Sequence, residues 1–387
     1  MTANLEKLKK YCLGELCLSQ ELIDFLRLYA NNEATPEDLA AYYKTIQFDK
    51  LGGQHVCALA ELSRRMEYQG VPRELVPRVR GILRYYTTWN AKQLQGFYWL
   101  SKLLNENGID SMLMKGGAMK AYYMPRAIRY MGDIDFCVKQ EDFDRVCKLA
   151  KDTGECETYA SITHLTVERG EQKMDIHSSF FKTKRLQKEE AVFWKDAREI
   201  VWQGQKVYVP SPEHLLVLIL ANMFQDTIQG NDYKSPWMRW LTDVIWLMEQ
   251  YSPDWEKIRM LCCDYNLTLA VKIMLLIMNE IVPGSVTEVY LDRLQIDKKT
   301  VKYIPIMFRM RKAYRKCYEL ENNKNITYLW WVFLRIWYYH RFIGDRCSLW
   351  ADITSFPSYI KETRRCKTWR EWWKKSLPWF RSLLSKK

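Results

Sequence analysis

Apolar positions recur with a helical period over most of the chain and with a period of two over one stretch in its middle. In the first third, ATPEDLAAYY carries a helix start. Thr35 can cap, Pro36 suits the first helical position, and Asp38 stands three residues after the cap. VPRELVPRVRGILRYY predicts one short helix. WNAKQLQGFYWLSKLLNENG predicts a second, with Leu94, Phe97, Leu100 and Leu104 near helical period and Gly108 as its stop. Helical patterning resumes at SPEHLLVLILANMF, where Ser211 and Pro212 mark the start, and continues through the amphipathic PWMRWLTDVIWLMEQY.

The segment between them reads differently. IDSMLM is a short apolar run ending at Lys115, Gly116 and Gly117, and AMKAYYM returns to helix. GDIDFCV predicts a strand and QEDFDRVCKLAKDTG a helix. HLTVERG and EQKMDIHSSF predict a hairpin, and QKVYVP one more strand before Pro210. The fold class expected is α+β: a small mixed sheet with flanking helices, embedded between helical regions. The expected divisions are a helical region over 1–85, a mixed core over 86–210, a helical domain over 211–345 and a tail over 346–387.

Composition narrows the class. Of 387 residues, 48% are hydrophobic and 27% charged, which is a globular balance. MTANLEKLKK has no apolar core of a secretory signal. LAVKIMLLIMNEIV contains Lys272 and Glu280 and falls short of the roughly 20 residues a membrane span needs. ITYLWWVFLRIWYYHRF carries Arg335 and His340; both runs read as buried helices, and no transmembrane segment is expected. The eleven cysteines are odd in number and irregularly spaced, Cys262 and Cys263 are adjacent, and no C-x-x-C occurs. A reduced, cytoplasmic protein with structural cysteines is expected, with peripheral contact at the inner membrane surface left open.

The candidate chemistry lies in RYMGDIDFCV, from Arg129 to Val138. Side chains two apart on a strand share a face. Asp133 and Asp135 therefore project together, while Ile134, Phe136 and Val138 take the packed side. Such acids face water, a cation or a basic partner, because an unpaired buried carboxylate is very costly. In KMDIHSS, Asp175 and His177 likewise share one face. If the two strands are neighbours, Asp133, Asp135 and Asp175 converge. Three carboxylates suit a pair of Mg²⁺ ions, with Mn²⁺ an alternative, about 3.5–4 Å apart in phosphoryl chemistry. Upstream, Gly116 and Gly117 let backbone N–H groups approach an anion, and Lys115 adds a point charge. Without a ligand the same loop is a plain helix entry. Arg129 reads equally as a phosphate ligand or as a salt-bridge partner of the same aspartates. His177 orients the acceptor or a carboxylate, or makes a structural hydrogen bond. Gly132 immediately precedes the acidic pair and is grouped with His177 as a supporting residue. His164 and His340 stand alone and read as structural.

The order M-K-G-G-A, R-Y-M-G-D-I-D-F-C-V and M-D-I-H resembles the motifs K-G-x-A, R-x-M-G-D-[IV]-D and D-[LI]-H of a bacterial family of uncharacterised nucleotidyltransferases, within the DNA polymerase beta-like superfamily. The resemblance spans roughly residues 85 to 250. It implies a nucleotidyltransferase-type sheet, metal at Asp133 and Asp135, and Asp175 as the carboxylate that assists deprotonation of the acceptor. It implies triphosphate handling by Lys115, Gly116 and Gly117. The segment with Arg239, Trp240 and Asp243 is similar to the family's R-W-L-x-D. The implied activity is transfer of a nucleoside monophosphate from an NTP to an acceptor, with release of pyrophosphate. The sequence departs from the superfamily in having Gly-Gly where Gly-Ser is usual. Histidines are expected in the helix after Pro212; here His214 stands at its start, and Asn222 and Gln225 occupy later polar positions.

The net charge of +13 is concentrated at the end, where residues 361–387 hold ten Lys or Arg against Glu362 and Glu371. Trp369, Trp372 and Trp373 fall on one helical face, with Trp379 beyond. That tail can dock on the protein itself, lie on an anionic membrane surface, or bind nucleic acid through phosphates and stacking. Two classes stand at this point: an Mg²⁺-dependent nucleotidyltransferase, and a non-catalytic partner of the same fold that binds a nucleotide or an anionic polymer.

Overall fold

Local sequence signals set the first helices. Thr35 Oγ1 accepts from the Asp38 backbone N–H at 3.3 Å, and the Asp38 carboxylate accepts from the Thr35 N–H at 2.9 Å. This capping box starts a helix on Pro36, as its residues predict. The computed structural model describes residues 3–16, 18–160, 164–181, 190–229, 237–298, 300–301, 304–305, 368–371 and 373–374. The predicted helix over 326–342 and most of the basic tail, His340 included, lie outside them.

The amino-terminal helices are α1 (Ala3–Leu16), α2 (Gln20–Ala30), α3 (Pro36–Thr45), α4 (Gly53–Arg65) and α5 (Val76–Glu106). The two short helices expected around residues 76–106 are one. No proline interrupts the run after Pro77, and the first turn tolerates that proline. Helix α5 therefore crosses position 85, where a division is expected. Then come β1 (Ser111–Leu113), α6 (Lys115–Ala118) leading into a π-turn at Met119–Tyr123, β2 (Ile134–Val138), α7 (Phe143–Asp152), β3 (Glu157–Ala160), β4 (His164–Arg169), β5 (Gln172–His177), α8 (Glu190–Lys195), β6 (Arg198–Trp202) and β7 (Gln205–Val209). The chain continues in α9 (Pro212–Gln229), α10 (Trp237–Tyr251), α11 (Trp255–Asp264), α12 (Thr268–Ile281) and α13 (Glu288–Arg293).

The seven strands form one mixed sheet in the order β3-β4-β5-β2-β1-β7-β6. β2 runs parallel to β5 and β1 parallel to β7; the remaining neighbours are antiparallel. This is the α+β class read from the sequence, with two strands the hydrophobic pattern misses. β3 is largely exposed, and β6 alternates weakly; its signal was the two-residue Gln203–Gly204 turn, where both φ angles are positive.

Period-two alternation divides the central strands into two faces. Ile134, Phe136, Val138, Leu165, Val167, Met174 and Ile176 are buried on one face. Helix α5 covers it. Phe97 of α5 stacks on Phe136 at 6.0 Å and touches Trp202 at 4.3 Å. Gly96 lets the helix come close, since a β-carbon there would lie 2.5 Å from the Met174 sulfur and 2.9 Å from Gln172 Cβ. No described helix is long and apolar enough to cross a membrane, and α12 is buried among the other helices.

One polar tie joins the loop before β2 to the helical layer. Arg129 Nε and Nη2 donate to Asp243 Oδ1 and Oδ2 of α10 at 2.7 and 2.6 Å, and the two side chains are 8% and 1% exposed. A bidentate pair of this kind fixes direction as well as distance. Removing one partner leaves the other charge stranded. Asp243→Ala is expected to cost about 3–5 kcal/mol in urea denaturation, and Asp243→Leu combined with Arg129→Met clearly less. Equal losses for the two would show that the pair does not act as one unit. Phe136→Ala is expected to cost about 3–5 kcal/mol by emptying the contact with α5.

Candidate active site

Register brings the polar face together. Asp135 of β2 lies opposite Asp175 of β5 in a parallel pair, and Cys137 opposite His177. Across the next, antiparallel pair, Thr166 lies opposite Asp175 and His164 opposite His177. Residues directly opposite one another share a face. Asp135, Asp175, His177, Thr166 and His164 therefore form one polar patch on the side away from α5. Asp133 stands just before β2, at the end of the strand where this patch opens.

The other neighbour of β2 supplies the cation. β1 runs antiparallel to β2, and the Met114 N–H extends that pairing by donating to the Asp135 carbonyl at 3.0 Å. The next residue, Lys115, turns into α6 with a left-handed φ of 44°, a conformation a lysine holds only where other contacts fix it. Its Nζ donates to Asp135 Oδ1 at 2.8 Å. His177 Nε2 lies 3.2 Å from the same oxygen and must carry the hydrogen, because a carboxylate only accepts. Burial opposes ionisation of Asp135, but Lys115 and His177 outweigh it and hold its carboxyl well below the usual aspartate range. Lys115 is raised in return: burial works against its charge and the Asp135 carboxylate prevails.

Asp175 is fixed separately. Thr166 Oγ1 donates to its Oδ1 at 2.8 Å, and His164 Nε2 lies 3.4 Å from that oxygen. Burial raises its pKa, and the His164 and Thr166 hydrogen bonds bring it below the ordinary value. The His164 and His177 rings lie 4.8 Å apart. His164, expected to stand alone as a structural residue, is thus part of the acidic patch. Only the strand register shows this, since the acid it meets, Asp175, lies eleven positions away on the next strand. Burial lowers the His177 pKa more than Asp135 raises it.

Asp133 differs from both. Burial and the charges of Asp135 and Asp175 push its carboxyl up to about 6 against the opposing pull of Lys115 and Arg239. Hard carboxylate oxygens are the ligands Mg²⁺ prefers, and Asp133 marks surplus negative charge that a cation would offset. The donor chemistry fits such an ion. Among the described residues, however, no three acidic, histidine or cysteine side chains are gathered closely enough to cage a metal as they stand. Lys115 and His177 are the groups in contact with Asp135.

The glycine loop carries a different burden from the one expected. A β-carbon on Gly116 would lie 2.5 Å from Arg129 Nη1, so this glycine makes room for a guanidinium. The Gly117 N–H is spent on the Met114 carbonyl at 3.0 Å. Arg129 itself is bound to Asp243 and not to Asp133 or Asp135. Arg129 does form a salt bridge, but its partner is Asp243, 114 positions away, and not one of the aspartates it is read against in the sequence. His214 bonds Ser211 at 2.9 Å and packs on Phe193, and Asn222 donates to Leu218 of its own helix. The residue of α9 that the sequence reading missed is Asp226, whose charge acts on Lys115.

Solved structures overlap parts of this fold. The antibiotic-resistance factor ANT(2'')-Ia aligns over 44% of this chain and 89% of its own, at 14% identity and a TM-score of 0.33. An antigenic nucleotidyltransferase-like protein from Paracoccidioides brasiliensis aligns over 52% and 93%, at 15% identity and a TM-score of 0.36. No curated protein matches the sequence. The family described as uncharacterised nucleotidyltransferase matches residues 37–283, well over half of the chain and the whole of the sheet with its acidic patch. The chain belongs to the uncharacterised nucleotidyltransferase family.

Proposed function

We propose that this chain transfers a nucleoside monophosphate from an NTP to an acceptor hydroxyl and releases pyrophosphate, using Mg²⁺ or Mn²⁺. The observation that carries this reading is that Asp135 and Asp175 lie opposite one another on parallel-paired strands, with Asp133 near enough to feel both charges and Lys115 bonded to Asp135. Asp133, Asp135 and Asp175 would hold the metal, which supplies charge neutralisation at the phosphoryl oxygens. The acceptor oxygen attacks the α-phosphorus, and the bond to the bridging oxygen breaks with its electron pair leaving on pyrophosphate. The acceptor proton goes to Asp175. Thr166 and His164 both hold Asp175 through Oδ1, which orients the carboxylate and leaves Oδ2 to take that proton. Lys115, already at the patch, adds positive charge where phosphates enter. The glycine loop contributes close packing under Arg129 more than a ring of amides, so the phosphate grip rests on basic side chains.

A second reading is a non-catalytic partner that binds a nucleotide or an anionic polymer in the same place. The Lys115–Asp135 ion pair favours it, since that lysine neutralises a carboxylate the metal would need. The acceptor under the first reading is a hydroxyl-bearing molecule, and the exposure of Trp369 and Trp373 in the short described piece of the tail supports a contact there with an anionic membrane surface or nucleic acid.

Incubation with Mg²⁺ and each NTP against a metabolite panel, read by mass spectrometry, is expected to give a nucleotidylated product. Asp133→Ala with Asp135→Ala is expected to reduce it at least about a hundredfold. Nucleotide binding without turnover across the panel would select the second reading, and binding untouched by the double change would remove the metal assignment.

The acidic patch also sets a pH dependence. The Asp133 carboxyl is pushed up to about 6 in the folded chain, against about 3.9 when unfolded. Folding thus favours its protonated form. The stability that this form provides below about pH 4 is lost as pH rises through about 6. Asp133→Asn lacks that ionisation. Without metal, the variant is expected to gain about 1–3 kcal/mol over the wild type at about pH 7.5 and nothing at about pH 4, by urea denaturation. A difference that does not change with pH would contradict the charge crowding at Asp133.

A further inference from the structure

Arg239 lies one helical turn before Asp243 on α10. Asp243 is bound through both carboxylate oxygens by Arg129, and no hydrogen bond joins it to Arg239. Among the described residues Arg239 forms no ion pair, and its Nε is buried without a hydrogen-bond partner. Its one hydrogen bond is long, from Nη1 to the Tyr130 carbonyl at 3.5 Å. The guanidinium lies over the Tyr130 ring, 5.1 Å from the centroid. A cation–π contact of this kind offsets only part of what a desolvated guanidinium loses. Burial and the neighbouring charge of Arg129 both act against it.

What stands beside it is the entrance to the acidic patch. Nη1 comes within 3.7 Å of where a β-carbon would sit on Gly132. Asp133 follows, a carboxylate that also forms no ion pair among the described residues. The two groups act on each other's charge, yet no salt bridge joins them. A planar guanidinium with unsatisfied N–H donors, next to a crowded carboxylate, is a place for an anion that arrives with its own counter-charge.

We propose that Arg239 binds a phosphoryl group of the NTP at Gly132, the part that the sequence assigned to Arg129. This rests on the nucleotide-transfer reading and adds the residue that sets its dependence on phosphate number. Arg129 is committed to Asp243 and holds α10 in place, so it fixes where Arg239 sits. Gly132 leaves room beside the guanidinium, since a β-carbon there would already touch Nη1 at 3.7 Å.

The test is binding by the full chain, measured calorimetrically with an NTP, the matching monophosphate and inorganic triphosphate. Arg239→Gln is expected to lose at least about tenfold in affinity for the NTP and for inorganic triphosphate, and little for the monophosphate. Arg239→Lys, which keeps the charge and loses the fork, is expected to fall between. A purely structural arginine would weaken all three ligands alike. If the wild type binds neither NTP nor triphosphate, the transfer reading falls and this inference with it. If it binds them and Arg239→Gln keeps the wild-type preference for three phosphates over one, this inference alone falls. Should the glutamine variant not fold, the wild type answers by phenylglyoxal labelling mapped to peptides. Inorganic triphosphate is expected to block the adduct at Arg239. An adduct that forms regardless, or none at that residue, overturns the assignment.

Discussion

Asp135 is ionised inside a strand buried along its whole length. That charge is tolerable only because Lys115 and His177 meet it, and much of the site follows from this need. Lys115 takes a left-handed backbone to reach it. β1 must lie next to β2 so that α6 starts beside the carboxylate. β5 must lie on the other side, in the register that sets His177 near the same oxygen. A one-residue slip of β5 would send Asp175 and His177 to the face under α5 and bring Met174 and Ile176 out. The apolar and polar halves of β5 thus enforce the same register.

The arginines show how charge is divided between holding the fold and meeting a ligand. Arg129 and Arg239 lie close enough that each disfavours the other's charge, and only one carboxylate, Asp243, serves them among the described residues. The bidentate pair goes to Arg129. It joins the loop carrying the acids to α10, and Gly116 is small so that it can form. Arg239 is left with an aromatic ring and a buried donor without a partner, its Nη1 close to Gly132. A pairing that stabilises one part of the structure therefore leaves a cation unsatisfied where an anion would arrive.

Much of this was legible in order and little of it in partner. D-x-D on a strand, a second acid on D-x-H and a basic glycine loop are short-range patterns, and strand pairing sets Asp135 opposite Asp175 with Lys115 on Asp135. His164 and Thr166 were invisible as site residues, because their place depends on a hairpin register and not on their neighbours in sequence. Arg129 was read beside the acids four positions on, and its partner proved to be 114 positions away. The strand at 198–202 was missed because its alternation is weak, although the turn that follows it is a hairpin signal.

The sequence by itself determined the elements and the faces. Period-two alternation placed Asp133, Asp135 and Asp175 on the polar side, and the capping box and apolar periods placed the helices, because these depend on interactions within a few residues. Only the tertiary structure decided which charge meets which. Ion pairs and strand registers join residues far apart in the chain, and their energies depend on burial that exists only once the layers have packed. That is why Lys115 belongs to Asp135, Asp243 to Arg129, and neither to Arg239.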